Sequence, residues 1–158
     1  MSKRIGRKKI DKSHKRNGQG GLCVDLGLKD RVAIVTGSSQ GIGKAIARGL
    51  ASEGAKLTIC ARREDALKKT ADELESAFST EVLPIQADLA VKEEIQSMVE
   101  ATAEKFGSVD ILVNNTGGPR SALFLETSER DWHQTLNSLL MSIVNCCKEV
   151  IPHMKKNK

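Results

Sequence analysis

The sequence has 158 residues, room for one domain with a core of its own and too few for two of ordinary size. Apolar residues make up 39% and charged residues 28%, which suits a water-soluble globular chain, and no apolar run approaches membrane-spanning length. The formal net charge is +5, but residues 1–20 carry eight Lys or Arg against Asp11 alone, so the rest is mildly acidic and speaks against a nucleic-acid partner.

Residues 1–27 read as a disordered basic tail, poor in apolar residues and without periodicity. The tail lacks the apolar stretch of a secretory signal. The favoured reading is a translation start assigned too far upstream; an organelle or nucleic-acid tail and a tail without a role are the alternatives.

From residue 28 the chain alternates strand and helix. "RVAIVTG" (31–37) is a buried-strand run, followed by a helical pattern with Ile42, Ala45, Ile46, Gly49 and Leu50 on one face and Gly54 at its end. "KLTICA" (56–61) is a second strand, and Leu67, Ala71, Leu74 and Phe78 mark the next helix. "VLPIQA" (82–87) is a third strand; Ile95, Met98, Val99, Thr102 and Phe106 mark a third helix; "DILVNN" (110–115) is a fourth strand. Near-continuous apolar strands separated by single helices predict an α/β fold, a doubly wound parallel sheet covered on both faces. Pro84 removes a ladder donor and sends the third strand to an edge, where the Rossmann order 3-2-1-4 has it.

Residues 128–155 read as one long helix, capped by Ser128 with Asp131 three positions on. Trp132, Leu136, Leu139, Ile143, Cys146 and Val150 form one apolar stripe; Leu140, Val144, Cys147 and Ile151 form another; Ser138, Ser142 and Asn145 are the polar side. So broad an apolar surface needs a second neighbour besides the sheet, either a partner subunit or a further part of the fold. Cys23, Cys60, Cys146 and Cys147 show no metal or redox spacing and read as reduced thiols of a cytoplasmic protein with no metal site.

"TGSSQGIG" (36–43) joins the first strand to the first helix and is read as a phosphate cradle. Gly37 allows the tight turn, Gly41 lets the backbone approach a pyrophosphate, and Gly43 lets the helix pack close to the strand. Thr36, Ser38 and Ser39 add hydroxyl donors. About twenty residues on, where a carboxylate would hold an NAD ribose, the chain has Arg62 and Arg63, which suit a 2′-phosphate. The cofactor predicted is NADP in preference to NAD.

These segments together resemble the short-chain dehydrogenase/reductase family. "TGSSQGIG" is similar to its T-G-x-x-x-G-x-G loop, "ADL" (87–89) to its acidic–apolar pair, and "NNTG" (114–117) to its N-N-x-G turn. The 3-oxoacyl-acyl-carrier-protein reductase-like branch is nearest by "DW" and "VIPHM" in the last helix. The resemblance covers residues 28–155 and implies that Gly37, Ser38, Gly41, Ile42 and Gly43 cradle the phosphates. It implies that Asp88 and Leu89 flank the adenine, and that Asn114, Thr116 and Gly117 meet the nicotinamide-side ribose or brace the sheet. The reaction implied is hydride exchange between the cofactor and a small carbonyl or alcohol substrate.

The chain departs from that pattern at the chemistry. Leu139 stands where the family's helix Asn belongs, Asn137 being two residues off, and "NNTGGP" replaces a commoner Ala. The Tyr-x-x-x-Lys pair that moves the proton has no counterpart, for the sequence has no tyrosine. The expectation is therefore a Rossmann-type domain over 28–158, truncated after the fourth strand and following helix, that carries no catalytic residues. Such a chain would accept substrate only when completed by C-terminal residues, and would pair through the 128–155 helix as a homo-oligomer in a full-length form. The alternative is a non-catalytic nucleotide-binding or interaction protein that pairs with a full-length relative.

Overall fold

The computed structural model describes residues 25–119 and 121–156. The basic tail as far as residue 24, with Cys23, and Arg120 lie outside the described residues. Four strands, β1 (Val32–Thr36), β2 (Lys56–Ala61), β3 (Val82–Gln86) and β4 (Ile111–Val113), form one parallel sheet of order β3-β2-β1-β4. Helices α1 (Gly41–Ser52), α2 (Glu64–Phe78) and α3 (Lys92–Phe106) alternate with them. The order and the strand-edge position of Pro84 are those the sequence pattern predicts.

Alternate residues of the inner strands feed two cores, which is why the strands read as unbroken apolar runs. Ala33, Val35, Leu57 and Ile59 pack with Ala47, Ala51, Leu67 and Leu74 of α1 and α2. Ile34 and Cys60 pack on the other face with Ile95, Met98 and Val99 of α3. The polar groups within this second layer are paired: the buried Thr58 and Thr102 hydroxyls are hydrogen-bonded at 2.9 Å. At the start of β4, Asp110 accepts the Val32 N–H at 2.9 Å and pairs with Arg31 at 3.2 Å, fixing the β1–β4 register.

Helix α1 corrects the predicted face. Its buried positions are Gly43, Ala47 and Ala51, one step round from the expected stripe, and Ile42 is 73% exposed. A helix that lies close to a sheet does so on small side chains, so here the bulky residues mark the flanks of the contact.

The last segment begins as predicted. Ser128 Oγ accepts the Asp131 N–H at 3.2 Å and Asp131 returns the bond to the Ser128 N–H at 2.9 Å. It is not one regular helix, however. Helix α4 (Glu129–Leu136) passes through a π-helical turn (Asn137–Met141) into α5 (Ser142–Lys156). The wider turn rotates the faces, so the predicted stripes split. The buried row of α5 is Ser142, Cys146 and Val150, packed against α3 and β4. Ser142, predicted on the polar side, is buried because its hydroxyl donates to the Ser138 carbonyl at 2.7 Å. Trp132, Leu136, Leu140, Met141, Ile143 and Ile151 remain exposed, as do Leu123, Phe124 and Leu125 at the preceding 3-10 turn (Phe124–Glu126).

Candidate functional site

The carboxyl ends of all four strands open into a cavity of about 710 Å³. Open parallel sheets place ligands at this edge, beside the strand where the winding reverses: β2 and β3 are added on one side of β1, and β4 is then laid on the other. The glycine loop forms the floor. Gly37 has φ +59° and sits against Asn115, whose carbonyl oxygen would collide with a Cβ at that position. A Cβ at Gly43 would strike the Gly37 carbonyl, so the helix can start this close to the strand only with glycine there. Gly41 differs from both: its φ is +59°, yet nothing lies within 4 Å of where its Cβ would be. It lines the cavity with its backbone exposed. That open backbone is a cradle a side chain would fill, and a diphosphate fits the requirement.

The first turn of α1 supports the same reading. It holds no acidic residue, and its N-cap residue, Gln40, makes no side-chain capping bond. The end therefore keeps its free N–H groups and positive dipole for an anion.

The structure brings ten of the predicted residues to the cavity wall: Gly37, Ser39, Gly41, Ile42, Arg62, Arg63, Asp88, Leu89, Thr116 and Gly117. It turns four away. Thr36, expected as a hydroxyl donor to phosphate, is fully buried, and its Oγ1 accepts the Asn115 N–H at 2.9 Å. Ser38 is likewise buried: its Oγ lies 2.9 Å from the Val35 carbonyl and accepts the Cys60 N–H at 3.0 Å. Gly43 is buried in the helix–strand contact. Asn114 points to the helix layer, its Nδ2 3.5 Å from Cys147 Sγ.

Asn115, not Asn114, is the cavity residue of the pair, because neighbouring residues at a strand end face opposite sides. Its Nδ2 donates to the Gly37 carbonyl at 3.1 Å and the Thr36 carbonyl at 3.3 Å. Asn115 thus ties the end of β4 to the glycine turn. Gln40, Gly118 and Ser138 also line the cavity and went unmarked in the sequence. Gln40 is one of the variable positions of the glycine motif, and Ser138, expected only on the polar side of its helix, reaches the wall through the π-turn, which leaves no local sequence signal. Asn137 stands at the rim, Nδ2 3.5 Å from the Ala90 carbonyl.

At the far wall Asp88 shapes its own turn, accepting the Ala90 N–H at 3.0 Å while its N–H donates to Glu94 at 2.7 Å. The two arginines are held by amides. Arg63 Nη2 donates to Gln40 Oε1 at 2.8 Å, and the Arg62 carbonyl accepts from Gln86 Nε2 at 2.9 Å. Cys60 behind the wall is a core thiol: burial pushes it up to about 12, and burial pushes Cys146 to about 11, so neither is a thiolate near neutrality. Among the described residues no group of three or more His, Cys, Asp or Glu could hold a metal ion.

The sheet order, the glycine turn and the cleft at the strand ends define a Rossmann-type α/β protein. Within that class, the family model for short chain dehydrogenase matches residues 31–158, and the chain belongs to that family. Among curated proteins it is 40% identical over 131 residues to the CLA biosynthesis dehydrogenase/reductase of Lactiplantibacillus plantarum, covering 83% of this chain and 46% of that one. It is 34% identical over 130 residues to the 3-oxoacyl-acyl-carrier-protein reductase FabG of Staphylococcus epidermidis, covering 82% and 53%. Among solved structures, L-sorbose reductase from Gluconobacter frateurii, complexed with NADPH and L-sorbose, matches with a TM-score of 0.82 at 36% identity. That match covers 85% of this chain and 51% of the reductase. The chain spans about half the length of the curated relatives it matches.

Proposed function

We propose that residues 28–158 form the NADP-binding part of a short-chain reductase-like oxidoreductase. The observation that carries this is the open backbone of Gly41 facing the same cavity as Arg62 and Arg63. In this reading Gly37, Ser39, Gly41 and Ile42 hold the diphosphate, with Asp88 and Leu89 against the adenine. Thr116 and Gly117 lie toward the nicotinamide-side ribose, and Asn115 braces the loop from behind. Thr36, Ser38, Gly43 and Asn114 serve the site by building it. The bound cofactor supplies hydride chemistry, and the protein orients it toward a small carbonyl or alcohol carbon. A 3-oxoacyl thioester is the finer reading of that substrate, supported by the likeness to FabG.

These residues bind without turning over, in this proposal, because the sequence offers no tyrosine as proton donor. The unpaired Cys60, Cys146 and Cys147 support a cytoplasmic setting. A second reading, a non-catalytic protein that pairs with a longer relative, draws on the exposed apolar side of α4 and α5.

Calorimetric titration of the chain with NADPH and NADH tests the reading. NADPH is expected to bind about tenfold tighter or better, as loss of one charge-assisted phosphate contact is worth on the order of 1.5–3 kcal/mol. Equal affinity would remove NADP from the proposal. Binding of neither nucleotide would leave the interaction reading standing in its place.

A further inference from the structure

The Arg62–Arg63 turn is held by two glutamines that approach from different parts of the fold. Gln86, at the end of β3, donates to the Arg62 carbonyl at 2.9 Å and fixes the backbone. Gln40, in the glycine loop, accepts from the Arg63 guanidinium at 2.8 Å. Gln40 and Arg63 are 23 residues apart in sequence and both line the cavity.

The chemistry of that bond is informative. Gln40 stands at a helix N-cap, where short oxygen-bearing side chains are favoured because they bond the free N–H groups of the first turn. Its side chain does not cap. It crosses to Arg63 instead, leaving the first turn of α1 open. The partner it offers is an uncharged amide, so it orients the guanidinium without cancelling its charge. Among the described residues neither Arg62 nor Arg63 has a carboxylate partner. A carboxylate at position 40 would satisfy the same geometry and neutralise the site. A free arginine would keep its charge and pay side-chain entropy to bind.

We propose that Gln40 is a positioning residue for recognition of a ribose 2′-phosphate, holding the Arg63 guanidinium as a pre-set, fully charged fork at the cavity rim. This rests on the nucleotide-binding reading above and deepens it. Arg63 touches the phosphate, and Gln40 acts through Arg63. One amide contact uses one of the five guanidinium N–H donors and leaves the rest for the phosphate.

The test uses the full chain and two half-cofactor probes, adenosine 2′,5′-bisphosphate and 5′-AMP, because every residue in question belongs to the adenosine end. Wild-type protein is expected to prefer the bisphosphate, with the preference shrinking as salt rises. Gln40→Leu is expected to weaken the bisphosphate about three- to tenfold while 5′-AMP stays within about twofold; Gln40→Glu, which also sets a carboxylate beside the open first turn of α1, is expected to weaken the bisphosphate more than Gln40→Leu does. Gln40 is exposed, so both variants should keep the wild-type melting temperature. If Gln40→Leu weakens the two probes together, Gln40 supports only the loop and the positioning role is overturned. If Gln40→Glu leaves the bisphosphate unchanged, it is overturned as well. A wild type that binds 5′-AMP and the bisphosphate equally removes the 2′-phosphate reading itself, and with it this role.

Discussion

Gly37 and Gly41 share a φ of +59° and make opposite demands on their surroundings. Gly37 is closed in by Asn115, so an added methyl group has nowhere to go. Gly41 is open to the cavity. Gly37→Ala should therefore destabilise the fold by at least about 2 kcal/mol, from backbone strain plus the collision. Gly41→Ala should cost only about 1 kcal/mol of stability, the left-handed penalty alone, yet abolish measurable nucleotide binding. Urea unfolding of the two variants beside a nucleotide titration separates the effects; equal loss of stability would refute the distinction. The three glycines were legible in the sequence because their spacing after a strand is local. Which of the neighbouring hydroxyls and amides faces the ligand was not. Thr36 and Ser38 look like donors by residue type, but the β1–β4 and β1–β2 junctions consume them.

At the scale of one element, α1 contacts the sheet through Gly43, Ala47 and Ala51, and its isoleucine at 42 looks outward. Ala47→Leu should cost about 1–3 kcal/mol by overpacking, against a change within about 0.5 kcal/mol for Ile42→Ala. Thermal or urea denaturation of the two variants checks this; a larger loss at Ile42 would restore the face expected from periodicity. Counting bulky residues finds that a helix is amphipathic, but close approach is made by small ones, so the phase of the pattern was misread. The region from 128 onward carries a similar lesson. Its cap was readable at Ser128 and Asp131, since a cap is a three-residue pattern. The π-turn at Asn137–Met141 was not, and it is what brings Ser138 to the cavity.

Across the whole molecule, two layers of helix cover a sheet that has β4 as one edge among the described residues. The α4–α5 segment and the π-turn between its helices expose Trp132, Leu136, Leu140, Met141 and Ile143. Exposed large apolar side chains on one segment are kept from water by association. Homo-oligomer formation through this helix in a full-length form is our proposal, and it has a direct measurement. Sedimentation velocity should find the wild-type full-length form associated and its Leu140→Asp variant shifted to the monomer, with melting temperature lowered by no more than a few degrees. A wild type that stays monomeric at high concentration would refute self-association.

Readable from the residues alone were the alternation of strands and helices, the parallel sheet and its order, the edge position of β3 through Pro84, and the glycine turn between β1 and α1. Each of these is written within a few consecutive residues, as hydrophobic period, a missing donor or a glycine spacing, and local physics reads them unaided. It took the assembled fold to show that Asn115 and not Asn114 braces the loop, that Gln40 reaches Arg63, that α1 packs on its small residues, and that Ser142 is buried. Those outcomes depend on which groups from distant segments compete for the same donor, acceptor or space, and that competition exists only once the strands lie side by side.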